Sequence, residues 1–149
     1  MRLVVIEQGR MARIVSLSTG LTIDVTEELS SVEEALAEFQ GHGGSVAKAA
    51  AGMLALFNRF AEHGRIRSVR LFHEASKHEG IYEFIKGDLR VYFFFSSDSG
   101  EVVVCSHAIR KKRQRVDPGD VDRAAALKKR YLAAQAVGEI EYIMREKKP

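Results

Sequence analysis

The stretch HAIRKKRQRVDPGD, residues 107–120, carries the side chains with the clearest chemistry in this sequence. Five of the six residues from Arg110 to Arg115 are basic, and they follow the apolar run VVVCSHAI. Lysine and arginine side chains in such a cluster can neutralise several phosphates, which is the usual source of affinity for nucleic acids. A solvated surface and a targeting signal are the alternatives. Because the cluster lies between a strand-like run and a helix start, the sequence favours a basic surface that belongs to the fold.

Basic and aromatic residues elsewhere in the chain point to the same kind of surface. Arg90 lies in a strand-like run, and the KKR of residues 128–130 lies on the next predicted helix. Tyr131 follows directly and is a candidate platform on which a base can stack. A tyrosine on an amphipathic helix is more often part of a core, and for Tyr131 both alternatives stay open.

The histidines and Glu83 form no pattern that is typical of a catalytic or metal site. The chain has five histidines and one cysteine, without HExxH or paired-cysteine spacing, so we expect no metal and no cofactor. Glu83 alternates with apolar residues, and we expect it to point away from Tyr82 and Phe84 and to pair with Arg90 across a hairpin. An enzyme built from this sequence would use cations and at most one histidine.

Length and composition predict a single domain over residues 1–149. Hydrophobic residues make up 46% of the 149 residues, enough for a core of its own. The formal net charge is only +3, but residues 1–40 sum to −4 and residues 65–115 sum to +5. Such a division predicts a polarised surface whose basic side suits a polyanion.

The sequence predicts a soluble, cytoplasmic protein that has no membrane partner. The N-terminus MRLVVIEQGR has four consecutive apolar residues, too few for a signal peptide. No window approaches the roughly 18 apolar residues of a membrane span. The single cysteine, Cys105, lies in an apolar run, which fits a reducing compartment.

Apolar residues at helical spacing predict three helices. SSVEEALAEFQG and the run that ends near His63 flank the turn GHGG, which predicts a helical hairpin over residues 31–63. A third helix follows DPGD over residues 118–136, and EIEYIMRE is expected to prolong it. The predicted N-caps are Ser30, Ser45 and Asp117.

The strand-like runs complete an α+β prediction. IYEFIKGDLRVYFFF is typical of a hairpin, and EVVVCSHAI is typical of a further strand. We expect an antiparallel sheet of three or four strands, with the 31–63 hairpin on one face and the third helix beside it. Residues 1–25 are expected to be short strands or an irregular hairpin, an N-terminal extension of unclear role.

The motifs from residue 80 onward resemble the HigB-type toxins of the RelE/ParE superfamily, in their phage-derived branch. The family pattern is a glycine and Tyr-Glu, an Arg-Val-aromatic strand, a hydrophobic strand with a histidine near its end, two lysines, a proline and a helix with an alanine. The matching residues are Gly80, Tyr82, Glu83, Arg90, Tyr92, His107, Lys111, Lys112, Pro118 and Ala124. The resemblance covers about residues 57–131, and Ile109 replaces a phenylalanine of many members.

The resemblance implies the toxin of a type II toxin–antitoxin system. It implies two N-terminal helices on a twisted antiparallel sheet with a cationic concave face, the RelE/ParE-like fold. The implied activity is metal-independent cleavage of mRNA on the ribosome, and the implied partners are the ribosome, mRNA and a cognate antitoxin, expected to be a helix-turn-helix protein. No cofactor is implied.

The implied reaction is attack by a ribose 2′-OH on the adjacent phosphate, which needs a base, an acid and positive charge on the phosphorane. A lysine can act as the base where neighbouring cations lower its pKa. We assign Arg90 to phosphate stabilisation and Lys111 or Lys112 to proton transfer, and these three are the expected catalytic residues. The residues expected to bind RNA are Arg110, Arg113, Arg115, His107 and Tyr131.

Two other functions stay open at this point. ParE-type toxins of the same superfamily inhibit DNA gyrase by protein–protein binding, and fold alone does not separate them from nucleases. A non-catalytic, phage-derived domain that binds RNA or a protein partner is the third alternative. The basic run around Lys111 and Lys112 favours the nuclease, because binding to gyrase does not require a phosphate-binding surface.

Overall fold

The computed structural model describes residues 1–24, 27–64, 72–96, 102–111 and 117–145. Within these ranges the fold is α+β, as predicted, with three helices and eight strands. The strands are β1 (Arg2–Gln8), β2 (Arg13–Asp24), β3 (Glu27–Ser30), β4 (Phe72–Ser76), β5 (Ile81–Lys86), β6 (Leu89–Phe95), β7 (Val102–Arg110) and β8 (Glu141–Ile143). The helices are α1 (Ser31–Gly41), α2 (Gly44–His63) and α3 (Pro118–Ala136). No helix in these ranges is long and apolar enough to span a membrane.

The strands form one mixed sheet in the order β4-β5-β6-β7-β2-β1-β8, with β3 paired to β2. The prediction of a three- or four-stranded antiparallel sheet is wrong, because β2 runs parallel to β7 and β1 runs parallel to β8. Residues 1–24, expected to be an N-terminal extension of short strands or an irregular hairpin, form the hairpin β1–β2 inside this sheet. Pairing between strands so distant in the chain leaves no trace in local periodicity, so only the folded chain reveals it.

Helices cover both faces of the sheet. Alternate side chains of β6 point to opposite sides, as the pleat requires. Val91 and Phe93 lie in one core cluster with α1 and α2, whereas Tyr92 and Phe94 lie in a second cluster with α3. The third helix is therefore opposite the helical hairpin, not beside it as predicted. Burial on both sides explains why the β6 sequence LRVYFFF is apolar almost throughout.

Local signals set most helix boundaries. Ser30 caps α1: its side chain accepts from the N–H of Glu33, and its hydroxyl donates to the Glu33 carboxylate. Asp117 caps α3 by accepting from the N–H of Gly119 over 2.7 Å, and Pro118 is the first helical residue. The predicted cap at Ser45 is wrong, since α2 begins at Gly44 without a side-chain cap.

The segment EIEYIMRE does not prolong α3, contrary to the prediction. Gly138 has a φ of 71°, a left-handed conformation that ends the helix and turns the chain back. The following residues form β8, in which Tyr142 is paired with Leu3 of β1. Edge pairing with β1 outweighs the helical periodicity of this segment.

Candidate active site

The end of β7 brings the start of the basic run next to the β5–β6 turn. Arg90 of β6 is paired with Ile109 of β7, so it lies beside the residue that precedes the run. The N–H of Lys111 donates to the C=O of Asp88 in the turn over 2.8 Å. The backbone of Lys111 is therefore held against the β5–β6 hairpin.

Arg90 is a buried cation that closes the β5–β6 turn. Only 6% of the residue is exposed, and its Nη1 atom donates to the C=O groups of Gly87 and Leu89 over 2.8 and 2.9 Å. Gly87 has a φ of 55°, which the turn requires and a side chain would oppose. The buried Nε atom makes no hydrogen bond to the described residues. Arg90 thus places its positive charge near Lys111 from inside the fold.

Tyr92 connects Lys111 with Glu83. The Nζ atom of Lys111 donates to the Tyr92 hydroxyl over 3.4 Å, and Glu83 lies directly opposite Tyr92 in the strand register. Tyr92 and Glu83 are both fully buried. Burial raises the pKa of Tyr92, as do the charges of Glu83 and Asp120, while the charge of Arg90 lowers it. The Tyr92 hydroxyl therefore keeps its proton and serves Lys111 as an acceptor.

The expected orientation of Glu83 is confirmed, and its neighbours are now defined. Glu83 belongs to the sheet face that α3 covers, whereas Phe84 lies in the cluster with α1 and α2. The register pairs Glu83 with Tyr92 and pairs Arg90 with Ile85, so Glu83 and Arg90 are diagonal neighbours on one face. Both of their charges act on the hydroxyl of Tyr92.

His107 joins β7 to the first turn of α3. Its Nε2 atom lies 2.8 Å from Oδ1 of Asp120 and its Nδ1 atom 2.8 Å from Oγ of Ser106, and its ring stacks on Tyr92 at a centroid distance of 5.2 Å. Burial lowers the pKa of His107, the hydrogen bond to Asp120 opposes this, and the charge of Arg123 lowers the pKa further. We assign the tautomer from these partners: a carboxylate only accepts, so Nε2–H donates to Asp120 and Nδ1 accepts from Ser106.

Two residues that were expected to bind RNA lie inside the protein. His107 is 4% exposed, so the surrounding residues separate its ring from solvent. Tyr131 is fully buried on the inner side of α3; its hydroxyl lies 2.7 Å from that of Tyr142, and its ring packs against Phe94. A buried ring cannot stack on a base. Of the two alternatives for Tyr131, the structure therefore shows a core residue.

The cations of the basic run divide between described and undescribed residues. Arg110 is exposed at the end of β7, and Lys111 is half-buried beside it. Lys112, Arg113 and Arg115, the other expected catalytic and RNA-binding residues of the run, lie outside the described residues. The described part of the candidate site therefore contains Arg90 and Lys111 from the predicted catalytic set.

The second basic group, on α3, lines a cleft of mixed charge. This cleft of about 600 Å³ lies between α3 and the β4–β5 turn, and its walls include Lys128 and Lys129 as well as Glu79 and Asp122. Lys128 donates from Nζ to the C=O of Glu79 over 3.1 Å. Its acidic walls make the cleft less suited to a phosphate chain than the end of β7.

Sequence reasoning missed Tyr92 and Asp120 as members of the site. Tyr92 is two residues from Arg90, and the period of a strand places both side chains on one face, so this signal was available. From the sequence, Asp120 is recognisable only as an acidic residue in the first turn of a helix, where the helix dipole favours it. The contact between Asp120 and His107 depends on where α3 crosses the sheet, and this position is not predictable from the sequence.

The arrangement can bind an anion and transfer protons next to it. A lysine ammonium, a buried guanidinium and an exposed arginine surround the end of β7, and a protonated tyrosine holds the ammonium. Within the described ranges, no three His, Cys, Asp or Glu side chains come together in a way that would hold a metal ion. These groups fit chemistry on a phosphate, in which positive charge and one proton carrier are the main requirements.

Comparison with known proteins assigns this chain to no family. No protein-family model matches the sequence, and no curated protein matches it at a significant level. The resemblance to HigB-type toxins therefore stays a prediction from the motifs, and the end of β7 is the site on which a proposal of function can be based.

Proposed function

We propose that this protein is the toxin of a type II toxin–antitoxin pair, of the HigB type, and that it cleaves mRNA on the ribosome. The observation that carries the proposal is the position of Lys111. Its ammonium lies at the exit of β7, tied to the Tyr92 hydroxyl, on the sheet face from which Arg90 also acts. The basic run continues directly from this point.

In the proposed reaction, the ribose 2′-oxygen forms a bond to the adjacent phosphorus and the bond from phosphorus to the 5′-oxygen breaks. The products are a 2′,3′-cyclic phosphate and a new 5′-hydroxyl end. Lys111 or Lys112 takes the proton of the 2′-OH or delivers one to the leaving 5′-oxygen. Arg90 stabilises the phosphorane with its charge from within the fold, and Arg110, Arg113 and Arg115 hold the RNA backbone.

We propose in addition that the fold is RelE/ParE-like. A helical hairpin, α1–α2, packs on one face of the sheet, and a helix follows the last long strand; both features support a RelE/ParE-like domain. The hairpin β1–β2 and strand β8 extend this domain at one edge of the sheet. A cytoplasmic location follows from the proposed target, the ribosome. The proposed antitoxin is a helix-turn-helix protein with an acidic segment for the basic surface.

The deciding experiment is a cleavage assay with product analysis. The purified protein is added to a translating extract with a defined reporter mRNA, and cleavage is mapped by primer extension and by end-group chemistry. We expect cuts that depend on the ribosome and leave cyclic phosphate ends. Lys111→Ala should lower the rate by about 10²–10³, the usual cost of one transition-state contact. Lys129→Ala, an exposed lysine of α3, is the matched control and should cleave like the parent.

A gyrase supercoiling assay run beside it separates the alternatives. Intact mRNA together with inhibited supercoiling would reject the nuclease in favour of the ParE-type activity. Intact mRNA, normal supercoiling and normal growth on expression of the protein alone would reject both toxin activities and leave a binding domain.

A further inference from the structure

We propose that Tyr92 and Glu83 are positioning residues that hold the side-chain ammonium of Lys111 at the end of β7. The proposal rests on the function proposed above, because it gives Lys111 the proton-transfer role. It assigns Tyr92 and Glu83 no contact with RNA. They act through Lys111, and the structure shows how each is fixed.

Tyr92 is an acceptor with a fixed position. Its ring is fully buried and stacks on the His107 ring, with an angle of 18° between the two planes. His107 is in turn fixed by Ser106 and Asp120 through both ring nitrogens. A ring held in this way presents its hydroxyl at one place, and the Nζ atom of Lys111 lies 3.4 Å from it.

Glu83 orients the Tyr92 hydroxyl and places a negative charge next to it. It is fully buried and is paired with Tyr92 in the register, and its charge acts on the Tyr92 hydroxyl, which keeps its proton. With the proton directed to Glu83, a lone pair of the hydroxyl is left for Lys111. The negative charge of Glu83 acts on the same hydroxyl and so favours the ammonium beside it.

The positioning has a physical purpose. A lysine side chain has four rotatable bonds and about 2 kcal/mol of rotamer entropy, so a free ammonium samples many positions. A proton carrier must lie within hydrogen-bond reach of the reacting atom, and an error of about 1 Å can cost 10²-fold in rate. An anchored ammonium loses this freedom before RNA binds. We therefore expect the tether to raise kcat with little effect on KM.

The kinetic test is Tyr92→Phe, which removes only the hydroxyl and keeps the ring against His107. We expect kcat for mRNA cleavage to fall by about 10- to 10²-fold while KM stays within about twofold. Tyr82→Phe removes the corresponding hydroxyl from the opposite face of the same hairpin, and should behave like the parent. A Tyr92→Phe variant with the kcat of the parent would overturn the proposal.

A double-mutant cycle tests whether Glu83 acts through Tyr92. Glu83→Gln keeps an acceptor oxygen but removes the charge, so we expect a smaller loss of kcat than for Tyr92→Phe. In the Tyr92→Phe background, Glu83→Gln should cost less than about twofold, because the hydroxyl that conveys its effect is gone. If the two substitutions lowered kcat independently and multiplicatively, Glu83 would not act on Lys111 through Tyr92.

NMR of the lysine side chains tests the tether without any activity. The Lys111 resonance is assigned by its absence in Lys111→Arg. Tyr92→Phe should shift this resonance and sharpen it as the ammonium becomes mobile, and Tyr82→Phe should leave it unchanged. An unshifted Lys111 resonance would overturn the tether even if cleavage is observed. A shifted resonance in a protein that cleaves no RNA would support the tether and reject the proposed function instead.

Discussion

The Nε2 atom of His107, near the end of β7, lies 2.8 Å from the Oδ1 atom of Asp120 in the first turn of α3. The two side chains are 3% and 17% exposed, so this contact joins the last long strand to the following helix largely away from water. The basic run lies between these two residues in sequence. The His107–Asp120 contact therefore fixes where the chain leaves the sheet relative to where α3 begins.

Removal of the Asp120 carboxylate should destabilise the fold. Asp120→Ala leaves the buried Nε2–H of His107 without its acceptor, and an unsatisfied buried group costs about 1–3 kcal/mol. Asp122→Ala is the matched control, because Asp122 lies on the same turn of the helix but is exposed. Urea unfolding followed by circular dichroism should show the loss for Asp120→Ala and little change for Asp122→Ala. Equal midpoints for the two variants would show that the contact contributes nothing.

Stability should decrease when the pH falls below about 6.5. Burial lowers the pKa of His107 from its ordinary value of 6.5, so the unfolded chain binds a proton more readily than the folded one. The stability that this histidine contributes is therefore present above the unfolded pKa and is lost as the pH falls towards the folded pKa. The slope reaches at most about 1.4 kcal/mol per pH unit.

The pH dependence is measured as the free energy of unfolding between pH 7.5 and pH 5, a range that brackets the unfolded histidine pKa of about 6.5. His107→Gln, which has no titrating ring, should show a shallower slope than the parent in this range. Parallel slopes for the parent and the variant would assign the acid sensitivity to other groups.

Arg90→Ala should lower the free energy of unfolding as well as any cleavage activity. Its guanidinium donates to two carbonyl groups of the β5–β6 turn, and hydrogen bonds to charged groups contribute about 1.5–3 kcal/mol. Arg110→Ala, at an exposed position near by, should be close to neutral. Unfolding curves measured beside cleavage rates, with the rates expressed per folded molecule, separate the structural cost from the effect on phosphate. An Arg90→Ala variant as stable as the parent would contradict the turn-closing role.

The hydroxyl pair of Tyr131 and Tyr142 should contribute to stability as one unit. Tyr131→Phe or Tyr142→Phe removes the same 2.7 Å hydrogen bond, so each should cost about 1 kcal/mol. The double variant should be about as unstable as either single variant, because the second change has no further bond to break. Additive losses, measured by thermal or urea unfolding, would show that the two hydroxyls have separate partners.

Local sequence determined the parts of this protein that depend on near neighbours. Ser30 with Glu33, Asp117 with Pro118, and the glycines after α1 and α2 mark helix ends through contacts within a few residues. The hairpin at KGD and the alternation around Glu83 were likewise predictable, because turn chemistry and the pleat act over two to four residues. The concentration of positive charge after β7 is also a property of the sequence alone.

Only the tertiary structure decided which of these elements meet. Nothing local to residues 1–24 says that β2 pairs in parallel with β7, and nothing in EIEYIMRE says that β8 pairs with β1 in place of a longer α3. The same holds for the candidate site: Glu83, Tyr92, Lys111 and Asp120 come from three strands or their ends and from one helix. Their contacts depend on strand register and on the sheet face that α3 covers. The local sequence is compatible with several long-range strand pairings. The observed pairing is the one that buries both hydrophobic cores completely.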